Sequence, residues 1–239
     1  MSAISSRPVI SFQGVSARYD ERFVCKDITL DIHMGEFVYV VGPTGSGKST
    51  LLRLIYADLP SAAGKLRVGD FDLSPVARSR IPYLRRKLGV VFQDFQLLPD
   101  RTVYDNIYFA LRATGWKDTA RIKQRISELL VNVGMSGKTA AMPHQLSGGE
   151  QQRVAITRPL INDPIVLIAD DPTGNLDPHA TAHILEILRK INLSGTAVLM
   201  ATHEYALIEK YPSRILEIGP AGSITDHRDA SAFLRRIRV

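Results

Sequence analysis

Short apolar segments, rich in β-branched and aromatic residues and broken by Gly, Pro or Asp, recur along the chain and predict strands. They cover residues 9–12, 28–32, 36–41, 65–68, 88–92, 165–169 and 197–201. Between several of them the apolar positions change to helical spacing, as in residues 50–55 and 179–191. Because strands that alternate with helices usually pair in parallel, we expect an α/β fold with a largely parallel core sheet.

Residues 102–146 interrupt this alternation with a longer helical pattern. Apolar side chains recur there at spacings of three and four residues, at Val103, Ile107, Leu111, Ile122, Ile126, Leu129 and Leu130. We interpret the stretch as an all-helical insertion in the α/β core. The chain shows no internal repeat and no low-complexity segment.

Composition agrees with a folded chain but selects no function. The 239 residues are 45% hydrophobic, enough for a sizeable core, and no apolar run approaches the ~18 residues that cross a bilayer. The first residues lack the apolar stretch of a signal peptide, so we expect a cytoplasmic protein. The formal net charge of +6 is compatible with nucleotides, nucleic acid or an anionic membrane surface.

Two smaller features have ordinary interpretations. Cys25 is the single cysteine, which excludes an internal disulfide, and we expect a buried free thiol. The basic C-terminus, residues 233–239, predicts a solvated helix face. Contact of this short amphipathic end with lipid headgroups is the alternative.

One segment carries recognisable phosphate chemistry, since it fits the phosphate-binding loop pattern GxxxxGK[ST]. It comprises Gly42, Pro43, Thr44, Gly45, Ser46, Gly47, Lys48, Ser49 and Thr50. A predicted strand precedes the loop and a predicted helix follows it, which is the context that the pattern requires. Glycines let backbone N–H groups turn inward around an anion, and the helix dipole adds to the attraction. Lys48 is expected to reach the β- and γ-phosphates, and the Ser49 hydroxyl to hold Mg²⁺.

Polar residues with matching chemistry follow other predicted strands. Asp170 ends the strand at 165–169, where a carboxylate can lie on or near Mg²⁺ beside the phosphates, and Asp171 can orient or deprotonate the attacking water. Gln93 follows the strand at 88–92 and offers an amide to the metal or the water. His203 follows the strand at 197–201, where an imidazole can contact the γ-phosphate. Each residue alone is ordinary, and their shared placement after core strands supports a nucleotide hydrolase.

The segment Leu146-Ser147-Gly148-Gly149-Glu150-Gln151-Gln152, together with these motifs, resembles the signature of the ATP-binding cassette (ABC) ATPases. A helix that starts at Ser147, Gly148 and Gly149 presents free N–H groups and the positive end of its dipole. The resemblance implies that this helix end completes the ATP site of the opposite subunit. Two copies of the chain then form a homodimer that encloses two MgATP head to tail.

The resemblance extends from about residue 10 to residue 218 and implies further roles. Tyr19 matches the aromatic position that stacks on adenine, and Asn175-Leu176-Asp177 matches the loop that crosses the dimer interface. Residues 1–92 and 160–239 are expected to form the nucleotide-binding core of a P-loop NTPase with an antiparallel β subdomain. Residues 93–159 are expected to form an α-helical subdomain that contacts a transmembrane partner, hinges at Gln93 and ends with the signature helix.

Residues 92–106 are similar to the FtsE group of cell-division ATPases, notably in the run from Leu97 to Asn106. That resemblance implies an integral membrane partner of the FtsX type, a position at the inner face of the membrane, and control of peptidoglycan hydrolases. Lipoprotein-release and macrolide-export ATPases share residues 169–177 almost as closely. A transporter ATPase of that kind is therefore the alternative.

Asp171 departs from the family pattern, which has glutamate at this position. One methylene fewer shortens the reach of the carboxylate by roughly 1.3–1.5 Å. Because a misplacement on the order of 1 Å can cost about a hundredfold in rate, we expect MgATP binding and dimer closure with slow hydrolysis. A small backbone shift or an extra water that restores ordinary turnover is the alternative.

Pro159 is a second departure, since related chains usually have alanine there. It lies inside the helix that starts at the signature, where it removes the hydrogen bond to the Ala155 carbonyl and clashes with it, at a cost of about 3 kcal/mol or more. We expect a kink or an early helix end near Arg158, with strain in the helix.

Three functions compete on this evidence. An ATPase that drives a membrane partner uses every motif. A nucleotide-gated scaffold, which recruits partners in its ATP-closed state, is favoured by Asp171. A soluble ABC protein that acts on DNA or ribosomes is disfavoured, because the chain has one cassette and lacks a coiled-coil insertion, zinc cysteines and a basic stripe.

Overall fold

The strands form two sheets in the computed structural model, which describes residues 7–19, 22–74 and 76–237. Their bounds are β1 (Ile10–Tyr19), β2 (Arg22–Ile32), β3 (Phe37–Val41), β4 (Ala63–Val68), β5 (Phe71–Asp72), β6 (Leu88–Val91), β7 (Val166–Asp170), β8 (Ala197–Ala201), β9 (Arg214–Ile218) and β10 (Ile224–His227). The helices are α1 (Lys48–Ile55), α2 (Ile81–Arg85), α3 (Val103–Ala113), α4 (Thr119–Asn132), α5 (Gly148–Thr157), α6 (Pro178–Leu193), α7 (Tyr205–Lys210) and α8 (Ala230–Ile237).

The larger sheet has the strand order β10-β9-β3-β8-β7-β6. From β9 to β6 the neighbouring strands are parallel, and β10 pairs antiparallel with β9 at the edge. The predicted parallel core is therefore confirmed. Its central strands are buried along their whole length, as the apolar segments indicated. All carboxyl ends of the parallel strands open on one edge of the sheet, where ligands bind in folds of this type.

The smaller sheet, ordered β2-β1-β4-β5, is antiparallel. Strands β1 and β2 pair from Ile10↔Ile32 to Tyr19↔Arg22, so they are much longer than the predicted segments 9–12 and 28–32. The predicted strand ended before Gly14 because glycine usually interrupts a strand pattern. In the structure, Gly14 lies within β1 with φ +62°, where the register of the ladder is irregular. Beyond it, Val15 and Ala17 are buried and continue the strand.

The inserted helical region contains α3 and α4, whose apolar faces are buried as the spacing predicted. The expectation of an all-helical segment is too broad. Residues 133–147 contain only two short 3-10 turns, at 136–138 and 143–145. The buried side chains of α3 and α4 join one apolar cluster with one face of the larger sheet. The division into a core and a helical subdomain stays a prediction.

Helix α5 ends at Thr157, and a 3-10 turn spans Arg158–Leu160. The early helix end near Arg158 is confirmed. The expected strain stays a prediction. The structure weighs against it, because the α-helix has ended before Pro159, which lies in the first part of the 3-10 turn, where the missing N–H of proline is tolerated.

Strands β9 and β10 add a C-terminal extension that the sequence patterns did not predict, and helix α8, which was predicted from residue 233 onward, follows them. Phe233 of α8 is buried, and Arg236 forms an ion pair with Glu217 of β9. The basic C-terminus is therefore helical as far as Ile237, with Phe233 packed on the protein. Contact of this end with lipid headgroups stays a prediction, and residues 238–239 lie outside the described part. Among the described residues, no helix is long and apolar enough for a bilayer crossing.

Candidate active site

A cleft of about 850 Å³ opens at the carboxyl edge of the parallel sheet. Four adjacent strands deliver its polar residues: β3 leads to the glycine-rich loop, β6 to Gln93, β7 to Asp170 and Asp171, and β8 to His203. The predicted residues that line the cleft are Thr44, Gly45, Gly47, Lys48, Ser49, Thr50, Gln93, Asp170, Asp171 and His203. The structure thus brings together groups that are far apart in the chain.

The loop between β3 and α1 has the backbone conformation that phosphate binding requires. Gly47, the N-cap of α1, has φ +108°, and Gly45 has φ +77°. At Gly42, φ is +149° and a Cβ would lie 2.6 Å from the carbonyl oxygen of Ile218, so only glycine fits there. The Lys48 ammonium donates hydrogen bonds to the carbonyl oxygens of Gly42 (2.8 Å) and Pro43 (3.0 Å) and so lies across the loop.

Oxygen donors on three elements of the cleft suit Mg²⁺. They are the hydroxyl of Ser49 in the first turn of α1, the carboxylate of Asp170 at the end of β7, and the side-chain amide of Gln93 after β6. Mg²⁺ prefers such ligands and is usually bound by one or two carboxylates together with substrate phosphates. The donor set therefore fits a Mg²⁺ ion that nucleotide phosphates help to hold.

Asp171 and His203 form a pair at the floor of the cleft. The Nδ1 atom of His203 lies 3.1 Å from Oδ2 of Asp171, and the two side chains are 60% and 19% exposed. Burial raises the pKa of the Asp171 carboxyl, and nearby His203 opposes the rise. The Oδ1 atom of Asp171 is buried without a hydrogen-bond partner in the described part of the chain. This carboxylate is consequently a basic group in a shielded place, as a water-activating residue needs to be.

A tight turn holds Asp171 in place. Its φ is +48°, its N–H donates to the Ala201 carbonyl (3.0 Å), and its carbonyl accepts from the N–H of Gly174 (3.3 Å). A Cβ built on Gly174 would lie 2.5 Å from Asp171 Oδ2 and 3.1 Å from Gln93 Nε2. The Asp171 carboxylate therefore packs against its own turn, on the side of Gln93.

Two supporting contacts were missed by the sequence reasoning. The Thr173 hydroxyl donates to Oε1 of Glu204 (2.6 Å), which links the turn after Asp171 to the residue after His203. The Gln152 side chain, fully buried in α5, donates to the Pro172 carbonyl (2.8 Å). The signature segment contains Gln152, but the sequence does not indicate either contact, because both join residues that are distant in the chain.

The start of α5 is built as predicted but does not line this cleft in its own chain. Ser147 is the N-cap, its Oγ accepts from the Glu150 N–H (3.3 Å), and the Glu150 carboxylate accepts from the Ser147 N–H (2.9 Å). Behind it Gly149 packs closely on Ala180 of α6. Ser147, Gly148 and Gly149 are thus not among the residues that line the cleft, and their predicted contact with nucleotide stays a prediction.

Other predicted residues have mixed outcomes. Asn175 lines the cleft of its own chain, and Asp177 caps α6 by accepting from the N–H groups of His179 and Ala180. The side chain of Tyr19 lies outside the described part, so its predicted contact with adenine stays a prediction.

Val24, which the sequence reasoning missed, brings an apolar group from β2 into the cleft. Its neighbour Cys25 is a buried free thiol as expected, and burial raises its pKa to about 11.

Comparison with known families gives one match. The ABC transporter family matches residues 25–174. Relatives described as the cell division ATP-binding protein FtsE share much of the sequence over most of both chains. The relative from Mycobacterium tuberculosis is 44% identical over 92% of this chain and 96% of its own. The relative from Bacillus subtilis is 47% identical over 80% and 83%, and that from Escherichia coli is 42% identical over 88% and 95%.

Solved structures of ATP-binding cassettes share the fold. The dimeric cassette MJ0796, in a post-hydrolysis state bound to ADP and Pi, superposes with a TM-score of 0.81 at 30% identity, covering 92% of this chain and 98% of its own. The cassette cbiO1 from Clostridium perfringens, part of the ABC transporter complex cbiONQ, has a TM-score of 0.87 at 27% identity, covering 96% and 92%.

Proposed function

The chain belongs to the ABC transporter family and within it to the FtsE-type ATPases, and from this premise we propose that it hydrolyses MgATP in the cleft to drive a membrane partner during cell division. It is an ATPase that binds ATP, and the resemblance read from its motifs is confirmed. The observation that carries the proposed mechanism is the convergence of the phosphate loop, Gln93, Asp171 and His203 on one cleft.

In the proposed mechanism, the glycine-rich loop and Lys48 bind the phosphates. The positive-φ glycines turn backbone N–H groups toward the phosphates, and the start of α1 adds its dipole. The Lys48 ammonium, which lies across the loop, neutralises the β- and γ-phosphates. Ser49, Gln93 and Asp170 would hold the Mg²⁺ ion. An ion held by these residues would supply positive charge beside the phosphate oxygens.

In the proposed mechanism, Asp171 and His203 promote hydrolysis. Asp171 orients a water and accepts its proton as the water oxygen attacks the γ-phosphorus and ADP leaves. His203, held at Nδ1 by Asp171, lies in the cleft lining and stabilises the charge on the γ-phosphate. Because the short Asp171 carboxylate packs against Gly174, it reaches less far into the cleft than a glutamate would, and we propose that turnover is slow.

The proposed working unit is a homodimer at the membrane. In this arrangement Ser147, Gly148 and Gly149 of one copy bind the γ-phosphate held by the other, which explains why they do not line their own cleft. The MJ0796 cassette, described as dimeric, supports a dimer. An FtsX-like integral membrane subunit is the proposed partner, and it would keep the chain at the inner face of the cell membrane. The FtsE names of the relatives support this partner.

A second candidate is a nucleotide-gated scaffold, which recruits division partners in its ATP-closed state while turnover is incidental. The packing of Asp171 against Gly174 favours it. The two candidates share the site and differ in whether the rate of hydrolysis matters.

Steady-state ATP turnover separates these possibilities. We would measure the native chain, Asp171→Glu and Lys48→Ala, each with and without an FtsX-like subunit. Asp171→Glu should be at least about tenfold faster than the native chain, because the longer side chain extends toward the γ-phosphate. Lys48→Ala should abolish turnover, because it removes the phosphate-binding cation.

Equal turnover in the native chain and Asp171→Glu would make Asp171 an ordinary catalytic residue and end the slow-hydrolysis proposal. Persistent turnover in Lys48→Ala would contradict the proposed site itself.

A further inference from the structure

Gln152 lies where three functional segments meet. Its side chain is fully buried in α5, and its Nε2 donates to the carbonyl oxygen of Pro172 at 2.8 Å and to that of Phe92 at 3.4 Å. Pro172 directly follows Asp171, and Phe92 directly precedes Gln93. One amide group thus joins the signature helix to the neighbours of both cleft residues.

These two carbonyl groups lie beyond the ends of their strands. The β6–β7 ladder ends at the Val91–Ala169 pair, and the β7–β8 ladder ends at the Asp170–Ala201 pair. Because both groups are acceptors, the contact requires the NH2 side of the Gln152 amide. Gln152 therefore donates hydrogen bonds to two carbonyl groups that lie beyond the ends of the sheet ladders.

The other half of the amide is left without a partner. Gln152 Oε1 is buried and accepts no hydrogen bond in the described part of the chain. Burying an unpaired acceptor is unfavourable, and an apolar side chain of the same length would fill this volume without that cost. The amide is thus explained by its two donated hydrogen bonds and not by packing.

We propose that Gln152 is a positioning residue that ties the signature helix to Gln93 and Asp171. The inference rests on the proposed function, in which the start of α5 contacts the nucleotide of the opposite copy. Gln152 lies roughly 6 Å along the helix axis from Gly148, so a shift of the helix start carries its amide with it. The Phe92 and Pro172 carbonyl groups move with that amide, because they are hydrogen-bonded to it. Gln93 and Asp171 are therefore positioned for hydrolysis only when the helix is in place.

The test compares Gln152→Met with Thr157→Val in the full chain. Methionine keeps the length and bulk of glutamine but has no donor. Thr157 is a buried polar residue of the same helix whose hydroxyl donates to the Val154 carbonyl of that helix (2.6 Å), so its variant controls for lost helix packing. Gln152→Met should lower kcat for MgATP about tenfold or more with KM within about twofold, whereas Thr157→Val should leave both within about twofold.

Amide hydrogen exchange provides a readout that does not need turnover. In Gln152→Met we expect faster exchange at residues 93–96 and 171–176, with the phosphate loop unchanged. Native-like exchange in both segments would overturn the proposal. A kcat of Gln152→Met within about twofold of the native value would also overturn it. So would an equal fall in kcat in both variants that accompanies an equal loss of melting temperature. Absence of turnover in the native chain would instead contradict the proposed function, and exchange would still decide the role of Gln152.

Discussion

At the scale of single residues, Asp171 is the proposed water-activating group. Glutamate and aspartate have the same charge, and the sequence shows only that the shorter one is present. The structure adds that the backbone at Asp171 is left-handed and that its carboxylate contacts His203. One carboxylate oxygen is buried and has no hydrogen-bond partner among the described residues. Such strained and poorly paired groups persist where function requires them. Asp171 is therefore expected to cost stability.

We predict that Asp171→Asn is more stable than the native chain at pH 7, while it turns over ATP more slowly. Asparagine tolerates positive φ, still accepts a hydrogen bond from His203, and carries no buried charge. We expect a rise in melting temperature of about 2–4 °C, equivalent to about 1 kcal/mol in a chain of this size.

The pH dependence has a definite sign. Burial raises the pKa of the Asp171 carboxyl above its ordinary value of 3.8, so the folded state binds the proton more tightly than the unfolded chain. The free-energy cost of burying the ionised carboxylate is fully present above the pKa of the folded state. It disappears as the pH falls toward 3.8. Melting curves should show the advantage of Asp171→Asn shrinking on acidification. A constant or growing advantage would contradict this account.

At the scale of elements, helix α5 connects the signature to the core sheet. Its start is fixed by the reciprocal hydrogen bonds of Ser147 and Glu150, a pattern that the sequence itself displays. Its end depends on Pro159, which the sequence also marks. The sequence predicted the early helix end near Arg158, and the structure adds that a 3-10 turn with Pro159 inside it follows directly.

We predict that Pro159→Ala does not stabilise the protein and lowers its unfolding free energy by about 0.5–1 kcal/mol. The proline ring fits the 3-10 turn and packs against Gly89, where a Cβ would lie 2.8 Å from Pro159 Cβ. It also restricts the unfolded chain, and alanine removes that restriction. Urea unfolding of both proteins measures the difference. A clear gain in stability would restore the strained-helix hypothesis.

At the scale of the whole molecule, Arg214 joins the two sheets. Its side chain, 6% exposed, donates to the Asp31 carbonyl of β2, to Glu36 before β3, and through two nitrogens to the Asp226 carboxylate of β10. The antiparallel sheet is thereby tied to the sheet that carries the cleft. The position of Val24 in the cleft lining depends on the same relation between the sheets.

We predict that Arg214→Leu lowers the unfolding free energy by about 3–5 kcal/mol, because two partly buried carboxylates lose their counter-ion. Arg228→Leu is the matched control. Arg228 approaches the same two carboxylates at 3.8 and 3.4 Å but is 64% exposed, and we expect a loss below about 1 kcal/mol. Chemical unfolding of the two variants measures both effects. Equal losses would show that burial does not distinguish the two arginines.

The sequence by itself determined the parallel core, the helical spacing of α3 and α4, the phosphate-loop motif and the polar residues that follow the core strands. These depend on local spacing, and motifs that follow parallel strands must meet at one edge of the sheet. The C-terminal strands β9 and β10 and the length of β1 and β2 were decided by tertiary packing, since their segments are short or broken by glycine.

The contacts of Gln152, Thr173 and Arg214 were likewise decided only by the tertiary structure. Each joins segments that are distant in the chain, and a hydrogen bond between such segments leaves no periodic trace in the sequence. Position 171 shows most clearly how far the sequence alone can predict the site. The sequence gives its chemistry, but the reach of its carboxylate depends on the turn that Gly174 closes and on the strand that places His203 beside it.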